Sequence, residues 1–312
     1  MKNMRIPLII AWSVAVIGIV LGSFFDLSIS KAIASSSNGF ALTVSAIVPT
    51  IGFAGVACMG GGFVALALKG KYHIALKVLF FVLAACCLGV AIYYPAGEYF
   101  GINGFYNKDL SWAGYLIVIV PECGAMVGGY FLFKDCKNKN MWIVFCVIIV
   151  LLLIALVAVI PNIKDNMRRP RYRFLAGYDD MDAYHNWWEP CKNWKDIAAE
   201  HGIDLNLPEN KDFKDNFKSY PSGHTAEGAI LFVPIAFLPL AHDKFKKWQM
   251  PLFYGACGLV LLVAFARILA AAHFLSDVSW GAAIMLTLLI IANEVVMRVK
   301  PLQLEEEKQE AE

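Results

Sequence analysis

Residues 141–160 read MWIVFCVIIVLLLIALVAVI, and the residues that follow, 161–174, read PNIKDNMRRPRYRF. An unbroken apolar run thus ends abruptly in a segment carrying Lys164, Arg168, Arg169, Arg171 and Arg173. A bilayer core needs roughly 20 apolar residues in one helix, so the first stretch reads as a membrane span and the second as its polar exit. Seven more apolar runs lie near 7–25, 42–68, 74–95, 112–133, 225–241, 251–271 and 278–297. The run at 225–241 is short and contains Pro234 and Pro239, which makes it the weakest of the set. The first run reads as a retained span, because no clean Ala-x-Ala cleavage site follows it. With 312 residues, 59% hydrophobic and 17% charged, the chain holds more apolar side chain than a soluble interior of that length can hide. The expected fold is all-α, a polytopic membrane helix bundle of about eight spans.

A net charge of +2 with no basic arm or stripe argues against nucleic acid as a partner. Of eight cysteines, Cys58, Cys86, Cys87, Cys123, Cys146 and Cys257 lie in apolar runs, Cys136 in a Lys-rich turn and Cys191 in a polar segment. None has Cys-x-x-Cys spacing or a nearby His, so they read as small buried hydrophobes with no metal site. Lysine and arginine alternate along the connections. Lys69, Lys71 and Lys77 fill the second, Lys134, Lys137 and Lys139 the fourth, and Lys244, Lys246 and Lys247 the sixth. The first and third, near 26–41 and 96–111, carry only Lys31 and Lys108. Both termini are therefore expected in the cytoplasm, with the fifth connection, 161–224, on the other side. That loop breaks the charge rule, either because long loops escape it or because its cations hold an anion. Trp187, Trp188 and Trp194 in its middle suit a headgroup-level cap or a lid.

Three short segments converge by this orientation on one face. They are Lys164 to Arg173, then Ser219-Tyr-Pro221-Ser222-Gly223-His224, then Arg267 to Asp277 through His273. Lys164, Arg171 and Arg267 are cations able to grip phosphate oxygens, the guanidiniums in bidentate fashion. Ser222 and Gly223 place a hydroxyl and close-approaching backbone at a helix start, an anion-binding arrangement. His224 supplies an imidazole suited to proton transfer near neutrality. His273 and Asp277, four apart, would lie side by side on a helix, the carboxylate orienting the ring for attack. Pro170 makes continuous helix between Lys164 and Arg171 doubtful. Glu122, deep in the fourth run, is either functional or hydrogen-bonded between helices.

The combination resembles the type-2 phosphatidic acid phosphatase superfamily, which includes glucose-6-phosphatases and vanadium haloperoxidases. Its signature is Lys-x6-Arg-Pro, then Pro-Ser-Gly-His, then Ser-Arg-x5-His-x3-Asp. Lys164 and Arg171 keep the first spacing, Pro221 to His224 match the second, and Arg267, His273 and Asp277 match the third, over roughly 140–298. Tyr172 replaces the family's proline and Ala266 its serine. An alternative frame takes Arg169-Pro170 as the Arg-Pro pair, but Asn162 would then stand in the lysine's place; the first frame keeps both charges. The resemblance implies a six-helix core, a phospho-histidine intermediate, no metal and a site at the outer face.

From this the expected protein is a cell-membrane phosphatase acting on a lipid phosphate or diphosphate, with no cofactor and the bilayer as its surroundings. His273 would attack phosphorus, oriented by Asp277. His224 would protonate the leaving oxygen and then activate water. Lys164, Arg171, Ser222, Gly223 and Arg267 would hold the phosphate. Phosphate transfer to another acceptor is the alternative within enzymes, and a transporter or anion-binding protein the alternative outside them. Residues 1–70 are expected to be added N-terminal spans, 71–300 the phosphatase core, and 301–312 an acidic cytoplasmic tail.

Overall fold

The computed structural model describes residues 4–99, 112–136, 141–205, 207–240 and 242–299. The acidic tail, Lys2, Lys108, Lys137, Lys139 and Lys300 lie outside them. The described residues form helices and turns without a strand. Eight helical stretches among them are long and apolar enough to cross a bilayer, and each coincides with one of the eight apolar runs. The protein is a multi-pass all-α membrane protein. α1 (Arg5–Ile33), α2 (Gly39–Lys69), α3 (Ile74–Tyr99) and α4 (Trp112–Phe133) come first. The fifth span runs from α5 (Met141–Leu153) through one wide π turn (Ile154–Val159) into α6 (Ile160–Met167). α7 (Tyr172–Gly177) and α8 (Trp194–Glu200) belong to the following loop. The sixth span is α9 (Gly223–Gly228), a 3-10 turn and α10 (Phe232–Phe237). α11 (Lys246–Leu269) and α12 (Leu275–Val299) complete the bundle.

Prolines explain the broken sixth span. Pro234 and Pro239 cannot donate to the helical ladder and crowd the carbonyl four residues back. The stretch accordingly alternates between α and 3-10 turns instead of forming one straight helix. Apolar side chains that point away from the bundle, among them Ile6, Phe24, Val78, Val120 and Leu261, are exposed. In a bilayer these face lipid, where exposure of hydrocarbon carries no penalty. Cys86 and Cys123 belong to that outward set, so two cysteines expected inside are not, because they sit on the free faces of α3 and α4.

α1 lies along α12, and α2 packs against α3, α4, α9 and α11, so the first two helices touch the helices that carry the motifs. α2 can occupy the centre because glycine removes side chains where backbones meet. A Cβ at Gly61 would fall on the Met126 carbonyl of α4, and one at Gly52 on the Glu227 carbonyl of α9. α3 and α4 pack chiefly on α2, with aromatic contacts to the start of α5. An Arg5–Glu294 ion pair at 3.5 Å holds the start of α1 beside the end of α12. Both described chain ends thus sit at one end of the bundle.

The opposite end is covered by the loop after α6, which has its own core. Tyr172, Phe174, Leu175, Trp194, Ile197 and Phe217 bury together against Ala271 and Phe274. Trp187 packs with its ring tilted against Trp280 at 5.1 Å and donates to the Ser23 hydroxyl at 2.9 Å, tying the cap to α12 and α1. Trp194 is buried in the cap core, Trp187 is partly buried against the bundle, and Trp188 is exposed.

Candidate active site

Four backbone hydrogen bonds draw the three motif segments together. Ser219 N–H donates to the Arg169 carbonyl at 3.0 Å and Arg171 N–H to the Asn216 carbonyl at 2.7 Å. Arg173 N–H reaches the Ala271 carbonyl at 2.8 Å, and Ser222 N–H the Asp277 carbonyl at 2.9 Å. The chain between α6 and α7 is free to pair this way because the helix stops. Arg168 takes a left-handed conformation (φ 48°) as its C-cap, and Arg169, preceding Pro170, is kept out of the helical region. The third segment turns through Ala271, also left-handed at φ 56°, where the Arg267 carbonyl accepts the N–H groups of Ala272 and His273. α12 approaches Ser222 only because residue 281 is glycine; a Cβ there would land on the Ser222 carbonyl. Gly281→Val is expected to cost about 1–3 kcal/mol, read as a lower Tm in detergent, together with lost activity.

His273 lies at the centre and is fully buried. Its Nδ1 is 2.5 Å from the Ser219 carbonyl oxygen. A carbonyl can only accept, so Nδ1 carries the proton and Nε2 keeps its lone pair. Nε2 is buried with no hydrogen-bond partner among the described residues. Burial, then the positive fields of Arg267, Arg171, Lys164 and His224, hold this imidazole well below the ordinary histidine value, in its neutral form. Those same four groups are sequence-expected site residues, so the fold brings them within electrostatic reach of one ring.

The expected direct contact between His273 and Asp277 is absent. Nδ1 to Oδ2 is 3.9 Å, beyond a hydrogen bond. α12 starts at Leu275, so helical i,i+4 spacing does not apply across the turn. Asp277 acts through Ser219 instead. Its Oδ2 accepts from the Ser219 hydroxyl at 2.5 Å and from Phe274 N–H at 2.9 Å, and its Oδ1 from Arg169 at 2.6 Å. Ser219 therefore joins the carboxylate with its hydroxyl and the histidine with its carbonyl.

The phosphate-holding set is partly as expected. A Cβ on Gly223 would meet Lys164 Nζ at 3.6 Å, which places that ammonium over the Pro-Ser-Gly-His turn, and Glu227 Oε1 at 3.7 Å. Arg267 is fully buried, and Arg171 nearly so, with its Nε unpartnered. Ser222 serves the fold first. Its hydroxyl caps α9, accepting from Thr225 N–H at 3.4 Å and from the Thr225 hydroxyl at 3.1 Å, while its own N–H is taken by Asp277. Its hydroxyl proton remains available to an anion.

The two reading frames separate cleanly. Arg169 uses all five N–H donors inside the protein, on His185, Ser276, Asp277, Asp26 and Tyr184. It has none left for a ligand, and Asn162 spends its amide on the Ala158 carbonyl. Arg171 instead meets the half-exposed Asp215 at 2.9 Å, which Arg173 also reaches at 3.0 Å. Burial would raise the Asp215 carboxyl, but Arg171, Arg173, Lys164 and Arg267 outweigh it and hold it below the usual range. Tyr172 and Ala266, the two departures from the motifs, are packing residues, Tyr172 against Phe274 and Ala266 in the apolar cluster with α2.

Asp26, Asp215 and the supporting parts of Ser219 and Arg169 escaped the sequence reading, although Ser219 begins the second segment, Arg169 stands in the alternative frame and Asp26 is a lone carboxylate closing the first apolar run. Glu122 stands apart. It shares a helical face with Gly129, which abuts Cys58 of α2, is fully buried, and neither oxygen has a hydrogen-bond partner among the described residues. The interhelical hydrogen bond expected for it is not there.

No curated protein and no solved structure matches the chain. A profile of the PAP2 superfamily matches residues 139–300, just over half of its length, and spans Lys164, Arg171, His224, Arg267, His273 and Asp277. That match points to a hydrolase acting on lipid phosphates. The chain belongs to the PAP2 superfamily, a match that supports hydrolase activity in general.

Proposed function

We propose that the protein hydrolyses the phosphate monoester or diphosphate end of a lipid through a phospho-histidine on His273. The observation that carries the reading is the bare, buried Nε2 of a neutral imidazole ringed by Lys164, Arg171 and Arg267. In the first step Nε2 bonds to phosphorus as the ester oxygen leaves, taking a proton from His224. In the second, water bonds to phosphorus as the P–N bond breaks, and His224 accepts the water's proton. The three cations stabilise charge spreading over the phosphoryl oxygens, which is most of what phosphoryl transfer asks of a protein. Because side chains supply that charge, the reaction runs without a metal. The site lies on the extracytoplasmic face, a placement supported by the lysine-poor first connection.

Purified protein should release inorganic phosphate from at least one of phosphatidate, phosphatidylglycerophosphate or an isoprenyl diphosphate, with EDTA present. Release that needs an added metal would overturn the metal-free reading. Phosphate that appears only on an added acceptor would make the protein a phosphotransferase. His224→Ala is expected to slow hydrolysis of an alkyl phosphate by roughly 10²–10⁴-fold. In single-turnover release of the leaving group, the step that precedes water attack, an aryl phosphate, whose leaving oxygen needs no proton, should lose far less; equal losses in that step would remove the acid role.

A further inference from the structure

We infer that Asp26 of α1, acting through Arg169, is a positioning residue for the His273 nucleophile. The inference rests on the proposed role of His273, and it gives a helix outside the family-matched segment a part in the chemistry. The links are continuous. Asp26 Oδ2 accepts from Arg169 at 2.9 Å, and the same guanidinium donates to Asp277 Oδ1 at 2.6 Å. Asp277 holds the Ser219 hydroxyl, and the Ser219 carbonyl holds His273 Nδ1. Ser276 closes the near side. Its hydroxyl accepts from Arg169 at 2.8 Å and donates to Asp26, and its N–H reaches Asp26 Oδ1 at 2.9 Å.

The arrangement is built, not incidental. Arg169, Asp26, Asp277 and Ser276 are all buried. The guanidinium lies 4.3 Å from the Phe274 ring centroid and 5.3 Å from that of Tyr184. Gly22 lets α1 come this close, since a Cβ there would lie 2.5 Å from Ser276 N and 2.7 Å from Asp26 Oδ1. Asp26 and Asp277 hold one guanidinium between them, so the position of each carboxylate depends on the other. Removing Asp26's charge leaves Arg169 to draw on Asp277 alone, which loosens Ser219 and the ring it orients.

The test is steady-state kinetics of the full chain on its best lipid phosphate, comparing Asp26→Asn, Asp26→Glu and Ser276→Ala. Asp26→Asn should lower kcat roughly 100-fold, the scale of a small misplacement of a reacting group, with KM little changed. It should also move the acid limb of kcat/KM to lower pH, because a lost negative charge makes His273 harder to protonate. The other groups facing His273, namely Lys164, Arg171, Arg267, His224 and Asp277, are unaltered in that variant. Asp26→Glu and Ser276→Ala keep the charge, so they should lower kcat while leaving the limb in place. Wild-type kcat with an unmoved limb in folded Asp26→Asn overturns the inference, as does a kcat loss with no limb movement, which marks a merely structural role. If Asp26→Asn fails to fold, the kcat-against-KM split in the two charge-keeping variants decides: slowed kcat with KM unchanged supports the inference, and wild-type kcat, or a loss carried equally by KM, overturns it. A wild-type chain with no turnover overturns the reading of His273 itself.

Discussion

The His273→Ala protein will release no phosphate above background from any lipid phosphate the unaltered chain hydrolyses. The expected loss is roughly 10⁴-fold or more, because removing a nucleophile leaves only binding and charge stabilisation. A correctly folded variant with measurable wild-type turnover would end the phospho-histidine mechanism. The unaltered protein carries a second signature of the same residue. Its reactive form is the neutral ring, and burial and the surrounding cations lower the pH at which that ring takes a proton. Activity should therefore persist below about pH 6.5, the ordinary histidine value, and fall only as pH drops through the lowered one. An acid limb at or above that value would show that His273 is not held neutral. By linkage the same residue costs stability as pH falls below about 6.5, because the unfolded chain takes the proton first.

Arg169→Ala will destabilise the protein more than the loss of any surface cation. Its side chain is 0% exposed and its two carboxylate partners 1% and 0%. Breaking a buried pair by removing one partner costs about 3–5 kcal/mol, since the remaining charge is left without compensation. Here two carboxylates are orphaned together, against a total stability of about 5–15 kcal/mol for a typical domain. The expected result is a markedly lower Tm or loss of folded protein. Adding Asp26→Asn should restore part of that loss, because one of the orphaned groups then carries no charge. A single variant as stable as the parent would mean the network contributes nothing to the fold. Lys246→Ala is the control: Lys246 is half-exposed with Asp243 2.6 Å away, where an ion pair contributes little.

Much of the bundle was readable because a bilayer imposes one length and one polarity on every span. The run at 141–160 needed no partner to be recognised, and neither did the other seven. The motif segments were readable for a related reason. Lys164, His224 and Arg267 each sit within a few residues of a span end, so the alternation of spans alone put them at one end of the bundle. The His273–Asp277 pairing was misread because i,i+4 spacing presumes a helix, and the left-handed Ala271 and the α12 start at Leu275 remove it. Which helices α1 and α2 touch was not readable, because hydropathy says that a helix spans, not what it packs against.

What the chain determined by itself was therefore local: eight apolar lengths, the proline-broken sixth span, and three cation- and histidine-bearing segments at span ends. Tertiary structure decided the partners. It spent all five donors of Arg169 inside the protein, linked Asp277 to the histidine through Ser219, and brought Asp26 from the first helix to the same guanidinium. These depend on where glycines let backbones meet and on which buried donors find acceptors. Both are properties of contacts between residues that can lie 250 positions apart, which no local pattern encodes.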